Sequence, residues 1–85
     1  MQQSYTYRLL SELFQSLEAE GYQSGTGQYL RVMELLRKLP EGLPAEELKY
    51  SLAPLFVRNP QQQDQFYRLF DQSLARTERY FRSLQ

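Results

Sequence analysis

Apolar residues recur at helical spacing in four segments of the chain, and no segment alternates apolar and polar residues as a strand would. The first segment runs from about Ser4 to Glu20 and the second from about Thr26 to Lys38. In both, apolar side chains lie three and four residues apart, which places them on one face of a helix. They are Leu10, Leu13, Phe14 and Leu17 in the first segment, and Tyr29, Val32, Met33 and Leu36 in the second.

A glycine after the first segment and two further leucines in the second refine the prediction for these two helices. Gly21 directly follows the first segment and suits the left-handed conformation that often ends a helix. Leu30 and Leu35 lie outside the main apolar face of the second segment. The second helix is therefore predicted to be apolar on two sides.

The third segment begins near Pro44 and contains a proline close to its end. Its apolar face consists of Leu48, Leu52, Leu55 and Phe56. Pro54 lacks the amide that would bond to Tyr50, and its ring clashes with that carbonyl. We therefore expect the helix to kink or split near Ala53, which leaves a short separate turn over residues 54–57.

The fourth segment has the clearest start and is the longest, at about two dozen residues. Asn59 can cap the helix, Pro60 fits the first helical position, and Gln62 follows the cap by three residues. The predicted core face is Phe66, Leu69, Phe70, Leu74, Thr77, Phe81 and Leu84. The sequence thus predicts one all-α bundle over residues 1–85, with four main helices and short turns that raise the count to five or six.

Composition excludes several classes of function. Of the 85 residues 41% are hydrophobic, which suffices for a core, while cysteine, histidine and tryptophan are absent. Disulfides, thiolate metal sites and histidine general bases are therefore impossible, and we expect no enzyme, cofactor or metal. Gly25 and Gly27 form a G-x-G pair, but no strand precedes them and no third glycine follows, so a phosphate loop is not predicted. Nothing in the pattern marks Lys49 as desolvated.

The charge balance and the hydropathy predict a cytoplasmic protein. Ten basic and ten acidic side chains cancel, so no strong bulk attraction to nucleic acid or to an anionic membrane is expected. No apolar run approaches the ~18 residues that a membrane span needs. The first three residues, Met1 to Gln3, have no features of a secretory signal.

The distribution of the charges points to self-association. The acidic residues are Glu41, Glu46 and Glu47; the basic ones, on the last helix, are Arg68, Arg76, Arg79 and Arg82. An acidic end and a basic end on one small domain favour head-to-tail contact between copies. Tyr67 and Tyr80 lie off the core face of the last helix, and tyrosine is enriched at interfaces, so both join the predicted interface.

Two alternatives to this interface remain open at the level of sequence. The same charges are equally well explained as solvated groups that pair within their own helices. The arginines of the last helix also suit a small helical nucleic-acid-binding domain, since tyrosine and arginine together can stack on single-stranded bases.

The stretch from Leu52 to Asp71, which reads LAPLFVRNPQQQDQFYRLFD, resembles a segment of bacterial effector-associated, death-like helical domains. Such domains accompany STAND-type NTPases, WD-repeat propellers, von Willebrand A-type modules or formylglycine-generating-enzyme-like modules in multidomain conflict and signalling proteins. The FYRLFD block from Phe66 to Asp71 is the most distinctive part. Asn59 stands where Ser or Thr is more usual, and it can cap the helix equally well.

The upstream half of the chain is similar as well, in its Leu17–Tyr22 run and its Gln28–Leu36 run, so the resemblance covers roughly Leu9 to Leu74. It implies a compact, death-fold-like bundle that docks to a like domain and so clusters an attached effector. The implied partner is the chain itself or a related helical domain, as a possible filament, with no nucleic acid and no membrane.

Overall fold

Four α-helices account for most of the chain. The computed structural model describes residues 3–23 and 25–84, and this part of the chain contains no strand. The helices are α1 (Gln3–Ala19), α2 (Thr26–Lys38), α3 (Ala45–Phe56) and α4 (Pro60–Ser83). The predicted all-α bundle of four main helices is confirmed, and the described residues hold no additional short helix.

The longest helix, α4, sets the long axis of the molecule. Its 24 residues measure about 36 Å, close to the largest dimension of the molecule, 39 Å. α1 packs along α4, α3 packs on α4, and α2 packs on α3. Within the described residues, the backbones of α1 and α2 do not approach each other closely. The bundle is therefore closed between α1 and α4 and open between α1 and α2.

The core lies where α1, α3 and α4 meet. Its buried apolar residues are Leu9, Leu10, Leu13, Leu17, Val32, Leu48, Leu52, Ala53, Phe56, Phe66, Leu69 and Phe70. Beyond Phe70 the buried face of α4 continues with two hydroxyl side chains, Ser73 and Thr77. Their hydroxyls donate to the carbonyls of Leu69 and Ser73 at 2.8 Å, so neither is left unsatisfied. The predicted core position Leu84 is wrong, because its side chain, at the C-cap of α4, is 64% exposed.

The predicted break at Pro54 is also wrong. α3 continues through Pro54 to Phe56 as a single helix. The backbone amide of Val57 still donates to the carbonyl of Ala53 at 2.8 Å. Because the helix ends two residues after the proline, the missing amide removes a hydrogen bond only from the last turn.

The predicted end of α1 and start of α4 are confirmed, and the two lie at the same end of the antiparallel α1–α4 pair. The Asn59 side chain accepts from the Gln62 amide at 2.9 Å, and the Gln62 side chain accepts from the Arg58 amide at 2.8 Å. Gly21 has φ of 87° and ends α1 in a left-handed turn. The following residue, Tyr22, is thereby directed to α4, where its hydroxyl donates to the side chain of Gln65 at 2.6 Å.

Candidate functional site

The structure separates the four arginines that the sequence groups together. Arg76 lies between α1 and α4, where its Nε donates to Glu12 Oε2 at 3.0 Å and its Nη2 donates to the Ser16 hydroxyl at 2.6 Å. Its side chain is only 35% exposed. Arg76 therefore joins two helices of its own chain, and only about a third of its side chain remains accessible to the predicted interface.

The other three arginines lie on the surface. Arg68, Arg79 and Arg82 are exposed. Eleven residues, or three helical turns, separate Arg68 from Arg79, so these two share a face of α4 about 17 Å apart. The side chain of Arg76 is directed to α1, which leaves a sparse row of cations instead of the group of four expected from the sequence.

The acidic residues lie toward the same end of the bundle as the last arginines. Glu46 and Glu47 are exposed in the first turn of α3. Lys49 contacts Asp71, and the ring of Phe56 stacks on that of Phe66, so α3 and α4 run antiparallel. The start of α3 is therefore level with about residue 75 of α4. An acidic end opposite a basic end, as the sequence suggested, is not what the fold produces.

Both predicted interface tyrosines are engaged within the chain. Tyr67 is half-buried, and its ring meets the ring of Tyr50 edge-on at 5.4 Å. Tyr80 is 39% exposed, and the guanidinium of Arg8 lies 3.9 Å from its ring centre. Glu41 is exposed in the loop after α2. Glu41 also borders an open groove.

A buried lysine was missed by the sequence analysis. Lys49 is 9% exposed, its Nζ lies 3.2 Å from Asp71 Oδ1, and the rings of Tyr50 and Tyr67 are each 5.3 Å away. Burial acts to lower the pKa of Lys49. The hydrogen bond and charge of Asp71, with smaller effects of Tyr50 and Glu46, outweigh burial, so the pKa is raised above 10.5. Its position beside Leu48, on the core face of α3, is the signal that points to its burial.

An open groove lies between α1 and α2, hereafter the α1–α2 groove. It consists of two adjoining hollows of about 840 and 610 Å³ that share Tyr7 and Met33. Its apolar lining is Tyr7, Leu10, Phe14, Tyr29, Met33, Leu36, Leu39, Leu43 and Leu48. At its floor the Phe14 ring lies 5.9 Å from both Tyr29 and Phe56, so the groove reaches the core.

Large apolar side chains remain exposed along this groove. Tyr7 is 49% exposed and Tyr29 is 46% exposed. Leu30, at 59% exposed, lines neither hollow, but it lies three residues before Met33 and therefore beside the groove on the surface of α2. These side chains remain exposed because α2 docks on α3, where the Gln28 side chain donates to the Leu55 carbonyl. The sequence predicted the second apolar side of α2, but not the groove that it borders.

Charged side chains stand at the two ends of the α1–α2 groove. Glu18 lies at the end where α1 finishes and α2 begins, and Arg37 and Glu41 lie at the other end. In the part of the chain that the structure describes, neither Glu18 nor Arg37 forms an ion pair. An elongated apolar floor with a charge at each end is suited to receive a helix.

Comparison with known proteins adds no family to this description. No family model, curated protein or solved structure matches the chain. The resemblance to effector-associated domains therefore stays a prediction. None of the described helices combines the length and apolar character required to cross a bilayer. Among residues 3–23 and 25–84, no cluster of acidic side chains could hold a metal ion.

Proposed function

We propose that the chain is a cytoplasmic, non-catalytic interaction module that associates with copies of itself or with a related helical domain. The observation that supports this proposal is the α1–α2 groove, with about half of Tyr7, Tyr29 and Leu30 exposed along it. Contiguous apolar surface rimmed by polar groups is typical of protein–protein contact sites. The module would cluster an effector attached to it in a bacterial defence or signalling system.

The chemistry of the groove supports a protein partner. Tyrosine combines apolar area with a hydroxyl, and together with methionine it is enriched in interface cores. A helix laid along the groove would cover apolar positions spaced over three or four turns, which is the usual way a groove between helices recognises a partner. The resemblance adds support, because it covers Leu9 to Leu74 and so includes most of the residues that line the groove.

The alternative is a nucleic-acid-binding domain, and the exposed Arg68, Arg79 and Arg82 favour it. Two observations count against it. Asp64 and Asp71 lie exposed among these arginines, and the chain has no net charge. A groove that binds a phosphate backbone normally presents several cations that acidic groups do not offset.

Sedimentation velocity and light scattering of the 85-residue chain, over a wide concentration range at low and high salt, test the proposal. We expect the mean mass to rise with concentration in the absence of any ligand. Leu30→Glu should suppress the rise, while Gln72→Glu, which adds the same charge to an exposed position of α4, should not. A chain that stays monomeric and shifts a labelled oligonucleotide, with affinity that falls steeply with salt, would overturn the proposal in favour of the alternative.

A further inference from the structure

We infer that the α1–α2 groove is closed by the same groove of a second copy, with the two α2 helices antiparallel about a two-fold axis near Leu30. This inference rests on the proposed function and names both the surface and the partner. It replaces the head-to-tail arrangement that the charge distribution of the sequence suggested.

The directions of α1 and α2 place the charges of the groove at opposite ends. Phe14 faces Tyr29 at 5.9 Å, and a short loop joins the two helices, so they are antiparallel. Glu18 is one turn beyond Phe14, toward the loop. Arg37 is two turns beyond Tyr29, in the last turn of α2 and away from the loop. The groove thus carries Glu18 at the loop end, and at the far end it carries Arg37, with Glu41 nearby in the loop after α2.

A two-fold rotation exchanges the two ends of the groove. With the axis near Leu30, Arg37 of the second copy lies about 10 Å from the axis, because seven residues of helix separate it from Leu30. Glu18 of the first copy lies about 7 Å from the axis on the same side, so the two side chains are within about 3–4 Å of each other along the helix direction. The symmetric pair forms at the same time, so two ion pairs flank the joint, and neither competes with an ion pair in the described part of the chain.

The apolar part of the joint is self-complementary about the same axis. Leu30, Met33 and Arg37 are spaced by three and four residues, so they form one strip along α2. Leu30 is the most exposed of the apolar residues along the groove. At the axis it would meet its own counterpart and cover Tyr29 and Met33 of the second copy. A contact of this kind uses the same patch on both partners and closes at two copies, whereas a head-to-tail contact grows unless a ring closes.

The test measures mass by sedimentation equilibrium for the full 85-residue chain and for charge-reversed variants. We expect the wild-type mass to level off at two copies. Glu18→Arg alone and Arg37→Glu alone should each weaken dimerisation about tenfold or more, because both ion pairs become like-charge contacts. An equimolar mixture of the two variants should form a one-to-one dimer, since each contact then joins an arginine to a glutamate.

Two controls separate this pairing from a general attraction between oppositely charged proteins. The double variant Glu18→Arg with Arg37→Glu keeps the net charge at zero and should dimerise like the wild type. Adding Leu30→Glu to both partners of the mixture should weaken association about 30-fold or more, as expected for a residue at the centre of an interface.

The possible results distinguish the failure of this inference from the failure of the proposed function. A wild-type mass that grows beyond two copies, or a dimer that ignores Leu30→Glu and both charge reversals, overturns the two-fold joint and leaves self-association standing. A wild-type chain that is monomeric at every concentration overturns both. A mixture that remains monomeric while the wild type dimerises overturns the pairing of Glu18 with Arg37 and, with it, the two-fold arrangement.

Discussion

Helix α1 packs against α4 on one side and borders the open α1–α2 groove on the other. The contact between α1 and α4 is called the seam below. On the side toward α4, Glu12 and Ser16 bind Arg76, and the ring of Tyr5 stacks on that of Phe81 at 5.4 Å. On the side toward α2, the backbones stay apart in the described part of the chain, and Tyr29 across the groove is half exposed. Polar groups with specific partners in the chain stabilise the fold, whereas apolar groups left partly uncovered are available to another molecule.

The largest expected effect tests the closed side of the bundle. Phe70 is fully buried at the centre of α4, and Phe70→Ala should lower the free energy of unfolding by about 3–5 kcal/mol. Because a domain of this size has little more stability than that, the variant should be largely unfolded. Far-ultraviolet circular dichroism during thermal melting measures the loss, and an unchanged melt would contradict the burial of this ring.

The next effect tests the polar part of the seam. Arg76→Ala removes the charge-assisted hydrogen bonds to Glu12 and Ser16 and should lower the free energy of unfolding by about 1–2 kcal/mol. Arg79→Ala, which removes an exposed arginine one turn away, should change it by less than about 0.5 kcal/mol. Urea denaturation compares the two, and equal effects would show that Arg76 contributes no more to the seam than a surface residue does.

The raised pKa of Lys49 predicts that the folded protein loses stability at alkaline pH. Its pKa is raised in the folded state, so the stabilisation from its pairing with Asp71 is fully present below pH 10.5 and is lost as the pH rises through the raised value. Lys49→Met keeps the side-chain volume and should stay within about 1 kcal/mol of the wild type at neutral pH. Urea denaturation from pH 8 upward should show a smaller alkaline loss for the variant. An identical pH profile would contradict the pairing.

The smallest expected effect on stability belongs to the groove. Leu30→Glu should change the free energy of unfolding by no more than about 0.5 kcal/mol, because the side chain contributes little to the core of its own chain. The measurement belongs at low protein concentration, since self-association would add stability to the wild type by mass action. A large decrease in the free energy of unfolding of the monomer would show that Leu30 supports the fold. The groove would then not differ from the seam in its contribution to stability.

Sequence reasoning located the helices well because their signals are local. The cap at Asn59, the glycine stop at Gly21 and the apolar spacing in α1 all operate within a few residues of each other. Pro54 was misjudged because a proline is tolerated where a helix is about to end, and the end of α3 depends on how the chain leaves Phe56. The exposure of Leu84 likewise depends on which side chains of other helices reach the end of α4, and periodicity within α4 does not determine that.

The candidate site was harder to predict because it depends on distances between helices. Arg76 and Arg79 look alike in the sequence, and only the position of α1 decides that one is bound and the other is exposed. Lys49 is buried because Asp71 lies across from it, 22 residues further along the chain. The α1–α2 groove follows from the docking of α2 on α3, which helical periodicity alone does not determine.

Val32 is the single buried side chain of α2, and this affects which part of the domain unfolds locally first. Native proteins open locally in cooperative units, and the unit with the least burial opens first. We expect amides of α2 to exchange with deuterium faster than those of α1 and α4. We expect the locally unfolded segment to end at Tyr22, because the Tyr22 hydroxyl donates a hydrogen bond to the side chain of Gln65 in α4. An opened molecule would keep a three-helix scaffold while α2 moves as a tethered arm.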